Sequence, residues 1–159
     1  MPPAHTSLRL PCEAARLLPH KPPVRMLDRL LTWKDGAGQA GAVVDRRSFL
    51  LDSRGRLDRN ALIELMAQAY AAGKSWEGRR RGQTPRIGYL VGIGSFEWTD
   101  DAMAGEHLLI SGATESVFGD FIVVSGHICR QDHHQLARGE LRLWRRPPDV
   151  PGPVGGAAP

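Results

Sequence analysis

The sequence has few cysteines, few aromatic residues and no long apolar run. No stretch approaches the roughly 20 apolar residues that a transmembrane helix needs, and the N-terminal segment lacks the basic and then apolar layout of a secretory signal. The 2 cysteines among 159 residues, Cys12 and Cys129, share no metal-ligand spacing and fit reduced thiols in a cytosolic protein. We therefore predict a cytoplasmic protein with no membrane segment, no metal site and no cofactor.

Positive charge is concentrated in two arginine clusters, "EGRRRGQTPR" at residues 77–86 and "LWRRPP" at residues 143–148. They account for most of the net charge of +4, and such clusters can attract nucleic acid or an acidic protein. Aromatic residues make up only 6% of the chain, and no nucleic-acid motif or base-stacking platform accompanies the arginines. We expect no nucleic-acid partner and interpret the clusters as solvated surface, which an acidic protein partner can still use.

The length and the hydrophobic content of 42% suit one domain with a real core rather than two. We place this domain at residues 1–146, with a lead-in at residues 1–23 that contains a short helical pattern at 12–18 ended by prolines. Residues 147–159 hold too much proline and glycine for packed structure, so we predict a disordered tail.

The pattern between these ends predicts a hairpin, a long helix and then four strands. The hairpin surrounds the turn "KDGAG", and the helix covers residues 59–73 after Asp58 or Asn60, either of which can cap its first amides. The later strands are "RIGYLVGIGSFEW", "EHLLISGATESVF", "DFIVVSGHICRQ" and "QLARGELRLWRR", and the turns between them indicate meandering antiparallel pairs. We predict an α+β fold in which a curved antiparallel sheet encloses the helix.

The helix "RNALIELMAQAYAAG" has almost no polar side, yet it carries Glu64 in its middle. An ionised carboxylate is costly to bury without a partner, so Glu64 either pairs with an arginine such as Arg25 or Arg29 or belongs to a site. Gln68 lies four residues later on the same helix face. Two polar residues so aligned indicate a polar spot in a cavity, although a satisfied core network would give the same pattern.

Four blocks of the sequence resemble, in the same order, those of β-hydroxyacyl-ACP dehydratases of the hotdog fold. They are "LLPHKPPVRMLDRLLTW", "ALIELMAQAYAAG", "GYLVGIGSFEW" and "AGEHLLISG", and the resemblance covers residues 17–144. The sequence is most similar to the divergent dehydratase-like branch of aryl polyene and related type II polyketide clusters, in which a turn like "DSRGRL" precedes the helix. The resemblance implies a hotdog fold, an acyl tunnel beside the helix, and protomers that pair edge to edge.

The resemblance also implies the position of the site. Glu64 matches the family's helix carboxylate, which we interpret as the general acid that protonates the departing β-hydroxyl of a 3-hydroxyacyl thioester. Backbone N–H groups at the helix start, residues 59–61, are expected to polarise the thioester oxygen. The predicted substrate-binding residues are Ser48, Asn60, Gln68 and Gly92.

The sequence departs from the family pattern at one catalytic position. Where the family has a loop histidine followed by phenylalanine, this chain has Ser48 followed by Phe49. A serine with no activating neighbour cannot replace imidazole as a base at neutral pH. His20, in "LPHKPP", matches another histidine of the family and is our second predicted catalytic residue, although a lone histidine between prolines more often fixes a turn.

We therefore predict a (3R)-hydroxyacyl-ACP dehydratase-like protein that acts on or binds 3-hydroxyacyl thioesters, carried by an acyl carrier protein or CoA, with activity impaired by the missing histidine. We expect either a homodimer or a heterodimer with a histidine-bearing paralogue. In the heterodimer, the histidine of the paralogue would supply the missing catalytic base. Two alternatives stay open: a non-catalytic acyl-binding or partner subunit of a dehydratase, and an acyl thioesterase, because one fold can host several chemistries.

Overall fold

The computed structural model describes residues 8–86 and 88–147, which form one antiparallel sheet and one long helix. The strands are β1 (Cys12–Glu13), β2 (Arg29–Lys34), β3 (Ala37–Val43), β4 (Gly88–Trp98), β5 (His107–Phe118), β6 (Phe121–Arg130) and β7 (Gln135–Arg145). The helix α1 covers Asn60–Arg80, and a 3₁₀ turn covers Ala14–Arg16. The predicted α+β arrangement of a long helix against an antiparallel sheet is confirmed.

The predicted strand breaks fall where the backbone turns. Asp35 and Gly36 connect β2 to β3 with φ of 51° and 77°, values that a primed hairpin turn needs and that glycine adopts without strain. Gly119 between β5 and β6 and His133 between β6 and β7 also have positive φ. The four long strands after the helix therefore lie close to where the sequence pattern placed them.

The order of strands in the sheet is β1-β2-β3-β5-β6-β7-β4. β5, β6 and β7 form the predicted meander, but β4 pairs with β7 rather than with β5, its neighbour in sequence. β4 is thus an edge strand, and apolar side chains remain exposed on it, including Val91 at 54% and Ile93 at 47%. An edge of this kind offers unpaired backbone groups to another strand.

The core lies between α1 and the face of the sheet that packs against it. The helix is buried on most of its circumference, as its sequence indicated, and it contacts β2, β3, β5 and β6. Trp33 of β2 and Tyr70 of α1 meet edge to face with ring centroids 5.5 Å apart, an arrangement that adds to the burial of apolar area. The fully buried side chains on the two layers include Leu62, Leu65, Met66, Ile110, Val124, Ile128 and Leu141.

Two predicted helical boundaries were wrong. α1 continues to Arg80, two turns beyond Gly73, because Gly73 does not end the helix but allows it to approach the indole of Trp33. The helical pattern at residues 12–18 forms only a single 3₁₀ turn, since Cys12 and Glu13 pair with Leu30 and Arg29 of β2 instead. In both places a tertiary contact overrides the local signal.

Some predicted features lie outside the described residues. They are residues 148–159 of the tail that we predicted to be disordered and residues 1–7 of the lead-in. Within the part that the structure describes, no helix is both long and apolar enough to cross a membrane.

The Gly73–Trp33 contact predicts opposite effects for two glycines of α1. Gly73→Ala gains helix propensity, but its Cβ would overlap the Trp33 ring, so we expect a net loss of about 1–3 kcal/mol in the free energy of unfolding. Gly78→Ala is the control, because a Cβ there meets only Gln83 at 3.9 Å and 4.0 Å, and it should gain up to about 1 kcal/mol. Urea denaturation measures both; a gain in both variants would contradict the prediction.

Candidate active site

A cavity of about 670 Å³ runs along one face of α1. Its helical lining residues are spaced three or four apart and so lie on one stripe of the helix. Many of them are small, which leaves space beside the backbone: Ala67, Ala71, Ser75 and Gly78. The facing wall comes from residues 83–86 and from one end of β4, β6 and β7, with Tyr89, Leu90, Ile122 and Leu143 supplying apolar surface.

Glu64 lies in this cavity and is only half-buried. Its Oε1 accepts a hydrogen bond of 3.0 Å from Gln68 Nε2, and no cationic group among the described residues lies within ion-pair distance of it. Arg25 instead donates to the carbonyl oxygen of His20 at 3.2 Å, and Arg29 is exposed on β2. The ion pair that the sequence left open for Glu64 therefore does not form.

Gln68 is the buried partner that fixes Glu64, and it is only 1% exposed. Its Oε1 accepts from the N–H groups of Met26 at 3.0 Å and Leu27 at 3.4 Å. Its Nε2 donates to the carbonyl of Val24 at 2.8 Å as well as to Glu64. All donors and acceptors of the amide are thus used within the chain, so Gln68 borders the cavity but orients Glu64 rather than offering a free group to a ligand.

His20 lines the same cavity as Glu64 and is half-buried. Its Nδ1 is buried and has no hydrogen-bond partner among the described residues, a condition that few buried polar atoms show. No other histidine lines the cavity within the described ranges. The structure thus brings together the two residues that the sequence assigned to catalysis.

Ser48 lies apart from this cavity, in the loop before α1. Its Oγ accepts from the N–H of Leu50 at 3.2 Å, and its own N–H donates to the carbonyl of Asp45 at 3.0 Å. The next residue, Phe49, is 71% exposed and borders a separate, open hollow that does not include Glu64. Ser48 is therefore not brought to the Glu64 carboxylate of its own chain.

Two further predicted positions, Asn60 and Gly92, also lie outside the cavity lining. Asn60 is the exposed first residue of α1, and its N–H donates to Asp58 Oδ1 at 2.8 Å, so Asp58 supplies the capping group. The N–H of Ala61 donates to the Asp58 carbonyl at 3.0 Å. Both of these N–H groups thus have partners inside the chain, and the expected role of the amides at residues 59–61 in polarising a thioester oxygen stays a prediction.

Comparison with known proteins identifies the family. Residues 12–151 match the family model described as ApeP-like, ApeP dehydratase. The chain belongs to the ApeP-like dehydratase family. No curated protein matches the sequence.

Solved structures show the fold of this ApeP-like chain. The dehydratase heterocomplex ApeI:P from Xenorhabdus doucetiae matches with a TM-score of 0.78 and 23% identity, over 88% of this chain and 93% of that one. A hypothetical thioesterase from Streptococcus pneumoniae, solved with coenzyme A, matches with a TM-score of 0.59 and 14% identity, over 74% and 84%. The PaaI protein of E. coli matches with a TM-score of 0.57 and 12% identity, over 73% of this chain and 81% of that one. The hotdog fold is thereby confirmed.

The end of the ApeP-like cavity away from Glu64 is polar, which the sequence analysis did not anticipate. Tyr70 donates to or accepts from Thr114 Oγ1 at 2.7 Å, and burial raises the pKa of its phenol. Burial alone would raise the pKa of Glu77, but hydrogen bonds from Trp33 Nε1 at 2.9 Å and Lys74 Nζ at 3.1 Å outweigh it and lower that pKa. Extending the three-and-four spacing from Glu64 past Gly73 would have found this end.

Replacing Gln68 should destabilise the chain far more than its single polar group suggests. Gln68→Met keeps similar volume but leaves the Met26 N–H and the Val24 carbonyl without a partner, each costing about 1–3 kcal/mol. We expect a total loss of about 2–4 kcal/mol in the free energy of unfolding, measured in urea. Gln39→Met, at an exposed hydrogen bond to Ser111, should stay within about 0.5 kcal/mol of wild type; equal losses would contradict the proposed role.

Proposed function

We propose that this chain binds 3-hydroxyacyl thioesters and takes part in their dehydration, with Glu64 as the general acid. The observation that supports this most directly is a carboxyl group that faces a cavity of about 670 Å³ and has no cationic partner among the described residues. Membership of the ApeP-like dehydratase family supports the same reaction class.

The proposed reaction needs two proton transfers. A base removes the proton next to the thioester carbonyl, and the electron pair left on that carbon forms the new carbon–carbon double bond as the β-hydroxyl departs. Glu64 gives its proton to that hydroxyl, which leaves as water. Glu64 Oε1 is held by Gln68, so the carboxyl group is oriented before the substrate arrives, which lowers the entropic part of the barrier.

His20 is the candidate base within this chain. It shares the cavity with Glu64, and its buried Nδ1 has no partner among the described residues. An imidazole nitrogen that accepts no hydrogen bond from the protein can accept the α-proton of the substrate. The hydrogen bond from Arg25 to the His20 carbonyl, 3.2 Å long, fixes the backbone of this segment between its prolines.

A second source of the base is a histidine-bearing paralogue in a heterodimer. Ser48 stands where the family's loop histidine is expected, and it lies away from Glu64. The exposed edge of β4, with Val91 and Ile93 on it, is a surface on which another hotdog subunit can continue the sheet. A solved relative is itself a dehydratase heterocomplex, which supports this assembly for the present chain.

An acyl carrier protein is the proposed carrier of the thioester. Arginines border the cavity at the end of α1 and in the following loop, with Arg81 and Arg86 among its lining residues and Arg79 and Arg80 next to them in sequence. A positive surface at this place would attract the acidic face of a carrier protein and speed encounter. CoA thioesters remain the alternative carrier because they present the same pantetheine arm.

Removing the acidic proton of Glu64 should abolish turnover. In an assay that converts 3-hydroxyacyl-ACP to enoyl-ACP, followed by mass spectrometry, Glu64→Gln should lower the rate about 10²–10⁴-fold, with Glu64→Ala alongside. Glu13→Gln, an exposed carboxyl on β1, is the control and should leave the rate unchanged. Thioester binding without turnover by wild type, alone or with a paralogue, would indicate a non-catalytic acyl-binding subunit, and release of free thiol would indicate a thioesterase.

Replacing His20 distinguishes the two sources of the base. If His20 removes the α-proton, His20→Gln should lower the rate of the isolated protein about 10²–10⁴-fold while thioester binding persists. The control is His107→Gln, an exposed histidine on β5 outside the cavity lining. An undiminished rate for His20→Gln in the presence of a histidine-bearing paralogue, with an inactive isolated wild type, would assign the base to the partner.

A further inference from the structure

Four cations lie around the end of the cavity opposite Glu64: Lys74, Arg81, Arg86 and Arg145. Lys74 Nζ and Arg81 Nη1 share one oxygen of Glu77, at 3.1 Å and 3.2 Å. The remaining two are on the facing wall. They are close to the β5–β6 turn, because Arg86 Nη1 lies 3.7 Å from Asp120 Oδ1 and the Arg145 N–H donates to the Asp120 carbonyl at 2.8 Å.

The positive charge of this cluster exceeds its negative charge. Glu77 and Asp120 are the two carboxylates paired with it, and Arg145 has no ion pair among the described residues. Moreover, Arg145 Nε is buried and lacks a hydrogen-bond partner within the same residues. A buried guanidinium donor without an acceptor is costly unless something else supplies one.

The helical and sheet-borne cations line the same cavity, and Tyr70 lines it too. Burial is the main cause of the raised pKa of Tyr70, while the charges of Glu77 and Arg145 act on it in opposite directions. The cluster is one site at one end of the cavity rather than four separate surface charges.

The distance between the two ends suits an extended ligand. Glu64 and Glu77 are 13 positions apart on the helix, which corresponds to about 20 Å at the rise of an α-helix. Small side chains between them, among them Ala67, Ala71 and Gly78, leave the space along the helix open. A thioester placed at Glu64 can thus extend to the cationic end, where the pantetheine arm or the acyl chain would finish.

We propose that Lys74, Arg81, Arg86 and Arg145 form an anion-binding subsite that takes an oxyanion at one end of the thioester ligand. This inference rests on the proposed function in that the ligand is a thioester reaching Glu64. The oxyanion is the phosphate of a phosphopantetheine arm or a carboxylate at the far end of the acyl chain. Guanidinium groups suit either one, because their N–H donors match a pair of oxygens.

Two pairs of ligands test the subsite by calorimetric titration of the full-length chain. The first pair is phosphopantetheine and pantetheine, which differ only in the phosphate. The second pair is two acyl pantetheines of equal length, one ending in a carboxylate and one in a methyl group. We expect the anionic member of one pair to bind about tenfold tighter at low ionic strength, with the preference shrinking as salt is added, and the responding pair identifies the anion.

Single substitutions show which arginines cause the preference for the anionic ligand. Arg145→Gln and Arg86→Gln should each remove most of the preference, and Arg86, at 42% side-chain exposure, can be replaced with little risk to folding. Arg138→Gln is the matched control on β7, because Arg138 pairs with Glu97 outside the cavity, and it should keep the preference. Equal affinities within both pairs for the wild type, or an equal loss in Arg138→Gln, would overturn the subsite.

The same titrations on Glu64→Gln separate this inference from the proposed function. We expect this variant to keep the preference for the anionic ligand while losing turnover. A wild type that turns over through Glu64 but shows no preference would refute the subsite alone. A wild type that shows the preference but no turnover, either alone or with a histidine-bearing paralogue, would refute the dehydratase role alone.

Discussion

The buried amide of Gln68 connects the main parts of the candidate site. It holds the segment just before β2 through hydrogen bonds to Val24, Met26 and Leu27, and it holds the carboxyl group of Glu64 through its remaining N–H. Because an amide has two donors and two acceptor lone pairs, one side chain can fix both. The segment held in this way begins four positions after His20, at Val24, so the positions of the acid and of the imidazole that lines the same cavity depend on the same group.

The cavity is long because many of the helix side chains that line it are small. Small residues occupy the stripe that follows Glu64, and Gly73, on another side of the helix, lets it approach Trp33 closely enough to continue for two more turns. A helix ending at Gly73 would have lost Glu77 and Arg81 and with them the polar end of the cavity. The two chemically distinct ends, an acid near the start of α1 and an excess of cations near its end, are thus consequences of one uninterrupted helix.

The proposed catalytic set depends on more than this chain's own helix. Ser48 replaces the loop histidine and turns toward its own backbone rather than toward Glu64, while Phe49 beside it and the edge of β4 are left exposed. Exposed apolar side chains and unpaired strand edges are each common features of surfaces that another subunit covers. The proposed partner would therefore bind at these exposed surfaces, the edge of β4 and the loop that carries Phe49.

The sequence by itself determined the helix, the four long strands, the polar pair Glu64 and Gln68, and the absence of the loop histidine, because these depend on local periodicity and residue type. Only the tertiary structure decided that β4 pairs with β7 and that Asn60, Gly92 and Ser48 lie away from the cavity. It also decided that Glu64 has no arginine partner in the part of the chain that the structure describes. It also decided that Arg145, 81 residues beyond Glu64, lines the same cavity. Strand order and side-chain partnership arise from contacts between distant segments, and these leave no local periodic signal.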